Sequence, residues 1–421
     1  MSAALARSVS SLRIPNYRRY FAGQVVSLSG NWMQIVAETW LILMLTGSGV
    51  AVGIVSGLQF LPMLLFGAWG GSIADRFDKR RLLLVTQALL AIPALAMWAA
   101  SAGGVISPGM VYGLVLLRGL VTAIDNPTRQ SFVIEMVGHS QLVNAVSLNS
   151  VIVHSARIVG PALAGGLIAT IGVEPCFLVN ASSFAVMVWA LATMNRGELL
   201  SETRAGERRG GVREALRYVA ATPALAIPLG MMAVVGTLGF NFPVLIPLLA
   251  RFTFEGDATT YTLLFACLAA GSVIGALATG ARGRTGSGLL VASVAAFGVF
   301  ALLAAAAPTI WLEALALAPM GAASVTFAAG VNSTLQLDAE PAMRGRVMAL
   351  YSVVFIGSTP IGGPLTGWLS EAIGPRAGLV MTAAAAFVAA LGARWAFARA
   401  REAAASRQAG GRGRALASGS T

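Results

Sequence analysis

The chain has 421 residues, 57% hydrophobic and only 11% charged, with a formal net charge of +12. Soluble globular domains carry about 25% charged residues, so this composition excludes a soluble protein of this length. The basic residues gather in alternate loops and at the two ends, as in multi-pass membrane proteins, which points to membrane lipid and excludes nucleic acid as the partner. In chain order, apolar stretches predict twelve helices over roughly 19–46, 49–74, 81–102, 107–130, 141–171, 174–194, 223–250, 258–281, 287–307, 309–336, 344–372 and 375–399. Such lengths suffice to cross a hydrocarbon layer of about 30 Å. Connections as short as TGSG (46–49) and GVEP (172–175) make neighbouring helices antiparallel.

One set of loops holds Arg76, Lys79, Arg80, Arg81, the Arg-rich 196–217, Arg282, Arg284, Arg344 and Arg346. The other holds little beyond Arg251 and Arg376. The positive-inside rule then places both termini in the cytoplasm, which requires an even number of spans. The first twenty residues are basic and polar and lack the apolar core of a cleavable signal. The polar stretch from Asn195 divides the chain into a first helical half (1–194), a linker (195–222) and a second half (223–400). An Ala/Gly/Arg-rich tail (401–421) reads as disordered.

The halves echo one another. Asn126-Pro-Thr-Arg-Gln130 returns as Asn332-Ser-Thr-Leu-Gln336, Gly160-Pro161 as Gly363-Pro364, and Gly71 as Gly275, at offsets of 206, 203 and 204 residues. A duplicated six-helix unit is a transporter plan, with the substrate site near the midplane between the repeats. The expected fold is therefore all-α and polytopic, with two pseudo-symmetric six-helix bundles.

Polar residues lie in stripes at the helical period. Gln24, Ser27, Asn31, Gln34 and Glu38 share one face, as do Arg118, Thr122, Asp125 and Arg129. A third face carries Ser147, Ser150, His154, Arg157, Pro161 and Gly165. Each charge at mid-bilayer costs about 2.5–3.5 kcal/mol even on insertion scales, so these groups must be paired or wet. Two interpretations stay open: a polar seam that fixes helix packing, and a cavity wall with coupling and substrate groups. On the second, Glu38 is the favoured proton carrier, with Asp125, His154 and Arg157 as further coupling groups. Gln24, Asn31, Gln34, Thr122 and Ser150 would then face substrate. The second half has almost no ionisable group away from its helix ends and offers Phe240, Asn241, Asn332 and Gln336.

The densest charge cluster is GGSIADRFDKRR, Gly70 to Arg81. With Gly71, Asp75, Arg76, Arg80 and Arg81 so spaced, it resembles the loop 2–3 motif of the major facilitator superfamily. NYRRYFAGQVVSLSGNWM (16–33), LTGSG (45–49), DNPTRQ (125–130) and ARIVGPALAGG (156–166) resemble the branch of transmembrane secretion effectors and enterobactin-exporter-like proteins. The resemblance implies a gate role for Asp75, latching the halves to Arg129 or to the start of helix 11 near Arg344–Val347. The matching position of the second half is Thr279. It also implies that Arg118 takes part in proton coupling. Gly160, Pro161, Gly165 and Gly166 resemble the helix 5 motif of antiporters, with three residues rather than two between Gly-Pro and Gly-Gly.

A phosphate loop is excluded because Lys79, the only lysine, follows Asp78. His139 and His154 have no zinc spacing, GxSxG is missing, and Cys176 and Cys267 form no framework. The expectation is no enzyme, no cofactor and no metal. What remains is a monomeric, proton-coupled exporter of small amphipathic molecules, of drug or siderophore type, in a bacterial cytoplasmic (inner) membrane. Its rivals are an importer or lysolipid flippase on the same fold, and a non-transporting receptor or assembly factor.

Overall fold

The computed structural model describes residues 10–200, 212–282, 286–340 and 343–418, and every regular element among them is helical. α1 (Pro15–Thr46) opens on a proline whose missing N–H has no role in a first turn, and it closes at Gly47. There the backbone turns left-handed (φ 63°) and the glycine N–H returns to the Leu43 carbonyl. Ser48 at once caps α2 (Gly49–Arg76) by accepting the Ala51 N–H. Asp78 does the same for α3 (Lys79–Ala102) through the Arg81 N–H, 2.7 Å away.

Helical trace then runs from Pro108 to Ile171, broken at Gly138 (φ 67°, ψ 176°) into α4 (108–137) and α5 (139–171). The loop expected at 131–140 therefore shrinks to one glycine, since Gly138 alone adopts the backbone that reverses the chain. α6 (Glu174–Ala192) completes the first half. The linker contains a short helix, α7 (Val212–Ala221), held by Glu214 to Arg346 at 2.8 Å and by the Tyr218 hydroxyl to the Glu340 N–H at 3.1 Å.

The predicted span 223–250 is two helices, α8 (Pro223–Gly239) and α9 (Phe242–Leu248), followed by a π turn at Leu249–Thr253. The chain leaves the helical path at Phe240 and Asn241, immediately before Pro243. α10 (Ala258–Arg282), α11 (Ser287–Ala305) and α12 (Ile310–Asp338) follow. The predicted span 344–372 is likewise divided, into α13 (Arg344–Gly357) and α14 (Thr359–Ala372), just before Pro360. Pro62, Pro93, Pro161 and Pro364 remain inside continuous helices. α15 (Pro375–Ser418) runs on through much of the segment that composition assigned to a disordered tail. Alanine and arginine are strong helix formers, so backbone propensity favours that continuation.

Among the described residues, eleven segments are long and apolar enough to cross a membrane. α1, of 32 residues, is not among them. Within residues 10–200, α1 packs on α4–α5 and α6, α3 on α6, and α2 on α4. In the later part α10 packs on α12, α11 on α12 and α15, and α8 on α15. The pairing of α2 with α4 repeats in α10 with α12, and small residues serve both. Gly70 lies against the Ala123 carbonyl, and Gly275 against that of Ala322. Gly71, matched to Gly275 by sequence offset, instead faces open space; its neighbour Gly70 makes the contact.

The two parts meet mainly through α2 with α14 and α5 with α10. A Cβ on Gly49 would stand 2.7 Å from the Gly367 carbonyl, and one on Gly53 would stand 2.5 Å from that of Gly363. Across the same junction the Glu371 carboxylate accepts from the Ser48 hydroxyl at 2.6 Å and the Val50 N–H at 3.0 Å. Gly53→Leu should therefore force α2 from α14. In a background lacking Cys176 and Cys267, a Ser56→Cys probe, buried here, should then react several-fold faster with a membrane-impermeant thiol reagent. An unchanged rate would show that this contact does not close that end.

Candidate functional site

The polar stripes of α1 and α4 face each other and α3 and α6, so most of their groups are enclosed by helices. Glu38 has 0% side-chain exposure and Arg118 3%. The Arg118 Nη2 donates to Glu38 Oε2 at 2.6 Å, and its Nη1 donates to Asn31 Oδ1 at 2.9 Å. Gln34 donates to Glu38 Oε1 at 2.7 Å, while Asn180 of α6 donates to the Gln34 carbonyl oxygen. Of the polar atoms in this cluster, Arg118 Nε is left without an acceptor. Thr122 turns its hydroxyl back to the Arg118 carbonyl.

A second network lies along the same helices toward Gly138. Asp125 Oδ1 accepts from Thr86 at 2.6 Å and Gln87 at 2.8 Å, and its Oδ2 accepts from the Arg129 Nε. Arg129 also donates to Gln24, at 2.5 Å, and Gln24 donates to the Tyr20 hydroxyl at 2.6 Å. Gln24 and Gln34, expected on a cavity wall, are thus buried, because each amide completes the partners of a charged pair. A carboxylate and an arginine paired in a low-dielectric seam need the surrounding amides to fill their remaining lone pairs and protons.

Arg157 is placed differently. Its guanidinium sits 5.0 Å from the centre of the Trp32 ring, and its Nε has no acceptor. Ser150 and His154 lie on the same helix, but their side chains fall outside the described residues. Gly160 brings α5 against α1 at Ser29, Trp32 and Met33, and Gly165 brings it against Thr262 of α10. Pro161 lies within the same helix, and Gly166 faces open space.

In the later half, Phe240 gathers rings around it: Phe242 at 6.1 Å, Phe297 at 5.6 Å, Phe327 at 6.4 Å and Phe355 at 6.1 Å. Asn241 is buried and donates to the Thr237 carbonyl at 2.8 Å. Asn332 and Gln336 bond to each other one turn apart.

The loop after α2 divides its duties. Arg80 is buried and donates to the Leu191 and Ala192 carbonyls at 2.7 and 2.8 Å, tying the loop to the end of α6. Lys79 pairs with Glu135 at 2.5 Å. Asp75, Arg76 and Arg81 are exposed, and among the described residues Asp75 makes no ion pair or side-chain hydrogen bond. Arg129, expected as its partner, is engaged by Asp125. Thr86, Gln87 and Asn180 escaped sequence analysis because each stands almost alone on an apolar helix, with no stripe to mark its face.

Charged pairs buried between long apolar helices are the chemistry of a polytopic membrane protein. The family model described as transmembrane secretion effector matches residues 6–410, so the chain belongs to that family, within the major facilitator superfamily. It is 27% identical over 364 residues to the multidrug efflux pump Tap of Mycolicibacterium fortuitum, covering 83% of this chain and 88% of Tap. Against the enterobactin exporter EntS of Salmonella typhimurium it is 25% identical over 377 residues, covering 86% and 87%. Against the staphyloferrin A transporter of Staphylococcus aureus it is 26% identical over 271 residues; the match covers 61% of this chain and spans 65% of that relative's length. A bacterial homologue of the lysosomal transporter Spinster, solved inward-facing and unoccupied, superposes with a TM-score of 0.70 at 17% identity, covering 91% of this chain and 97% of that one. A D-xylose–proton symporter gives 0.69 at 12%, covering 89% and 97%. At these identities the structural likeness concerns the fold alone.

The enclosed Glu38–Arg118 pair has a measurable consequence. Arg118→Gln should lower stability by about 3–5 kcal/mol by stranding a buried carboxylate. The double variant with Glu38→Gln should recover most of that loss. Thermal unfolding in detergent tests this, and equal loss in both variants would show that the pair is not coupled.

Proposed function

We propose that this protein is a proton-coupled exporter of small amphipathic molecules, working by alternating access. In this reading α1–α6 and α8–α15 form two six-helix bundles, residues 1–194 and 223–400, joined by the cytoplasmic linker 195–222. The divided segments α8–α9 and α13–α14 each count as one span. Both termini are cytoplasmic, and the protein works as a monomer in the inner membrane. The basic loops support this orientation, and the relatives that export drugs and a siderophore support the direction.

The single observation that carries the mechanism is the Glu38–Arg118 ion pair, sealed between helices of one bundle. A proton reaching Glu38 neutralises the carboxylate and frees Arg118 from its partner, so the local charge changes by one unit. Water access to the pair must alternate for that to drive transport. Contacts between the halves favour a conformation closed at the Ser48–Glu371 end. They run from there past Gly49–Gly367 and Gly53–Gly363 to Leu64–Gly357. Closure at the end with few basic residues corresponds to an inward-facing state. One proton moving down a membrane potential of about 150 mV supplies roughly 3.5 kcal/mol, enough for a gradient of a few hundredfold.

In vesicles with an imposed pH gradient, Glu38→Gln should abolish uphill movement of an amphipathic dye while retaining downhill exchange. The Glu38→Gln, Arg118→Gln double variant controls for folding. Uphill transport equal to that of the unmodified protein would overturn the assignment. Asp75, unpaired here, is proposed to engage when the inner ends close. Asp75→Asn should therefore slow turnover several-fold with substrate affinity nearly unchanged; an unaltered turnover would remove it from the gate.

A further inference from the structure

Arginines inside the first half come in two kinds. Arg118 faces Glu38 and Arg129 faces Asp125, each with amide or hydroxyl support. Arg157, midway along the span Asn144–Ile171, has no carboxylate partner among the described residues. An unpaired cation at this depth is costly and is tolerated facing an interior that supplies a counter-charge. The Trp32 ring offers a partial one, through the negative face of its π system. The Nε remains without an acceptor.

From the other half, one aromatic residue interacts with Arg157 electrostatically. The Tyr351 phenol lies within electrostatic reach of the guanidinium. Tyr351 stacks on Phe355, centroids 5.7 Å apart and rings 8° from parallel. Phe355 in turn meets the Phe240 cluster at 6.1 Å. Arg157 on one half thus interacts with Tyr351, the first of a series of rings on the other, and among the described residues no acid pairs with it. A cationic amphiphile would find repulsion there. An anionic one would find a donor fork for its head and rings for its body.

We propose that Arg157 is the anion-recognition group of the transport site, and that the transported class is anionic amphiphiles: an aromatic or similarly flat apolar body bearing a carboxylate or comparable acid. This rests on the transporter reading but not on its coupling mechanism. The bound molecule completes the counter-charge that the fold withholds from Arg157, so binding strength depends on the head group more than on the body.

The experiment uses three probes that share a pyrene body: pyrenebutyrate, the neutral pyrenebutanol, and a pyrenebutyl-trimethylammonium ion. Saturable binding to the full-length protein in nanodiscs is read by tryptophan-to-pyrene energy transfer, with empty nanodiscs subtracted and no proton gradient. The butyrate should bind about tenfold tighter than the alcohol, as a charge-assisted hydrogen bond allows, and the ammonium weakest. Arg157→Gln should bring the butyrate down to the alcohol's affinity while leaving the alcohol unchanged, and Arg157→Lys should keep part of the preference. Arg157→Met, which retains the apolar stem, gives the same comparison if the Gln variant does not fold. Preference for the ammonium probe, equal binding of all three, or a butyrate preference that survives loss of Arg157 overturns the proposal. Because binding is measured without a gradient, failure of the Glu38 prediction leaves this result standing, and the reverse also holds.

Discussion

The structure depends on how charge is accommodated where water is scarce. Removing an ion from water costs several kcal/mol, and an opposite charge restores that only when geometry and further hydrogen bonds are good. Glu38 and Arg118 meet at 2.6 Å with Asn31, Gln34 and, behind them, Asn180 supplying further hydrogen bonds. Asp125 and Arg129 repeat the solution with Thr86, Gln87 and Gln24. These two clusters bind α1, α3, α4 and α6 together. They do so with directional bonds, which hold helices in register where lipid and side chain are equally apolar and hydrophobic burial discriminates poorly.

Between the halves the physics is of another kind. Gly49, Gly53, Gly363 and Gly367 let backbones approach to contact distance. Such a surface relies on dispersion and on the capping of α2 by Glu371, interactions that are numerous but individually weak. The interior of the first half is thus held by hydrogen bonds and the junction between the halves by close contact of small residues. The breaks at Phe240–Asn241 and at Gly357–Ser358 lie in the helices that border this junction.

A further contrast separates the arginines of the first half. Glu38 and Asp125 are paired with Arg118 and Arg129 inside the first half. Arg157 instead lies over the Trp32 ring with no carboxylate partner among the described residues.

Much was legible in the residues themselves. Long apolar runs and the short connection TGSG specify helices and several of their ends, since these follow from local backbone chemistry and from the thickness of a membrane. Spacing also marked Glu38, Arg118, Asp125 and Arg129 as members of buried faces. It did not settle which of them touch one another, that Gln24 and Gln34 complete ion pairs, or that Arg157 alone of these arginines lacks an acid. Those facts arise from residues far apart in sequence, such as Thr86 with Asp125 and Asn180 with Gln34, whose meeting is fixed by helix packing. A helical period shows which side chains share a face; only the neighbouring helix determines whether that face meets an amide, a carboxylate or an aromatic ring.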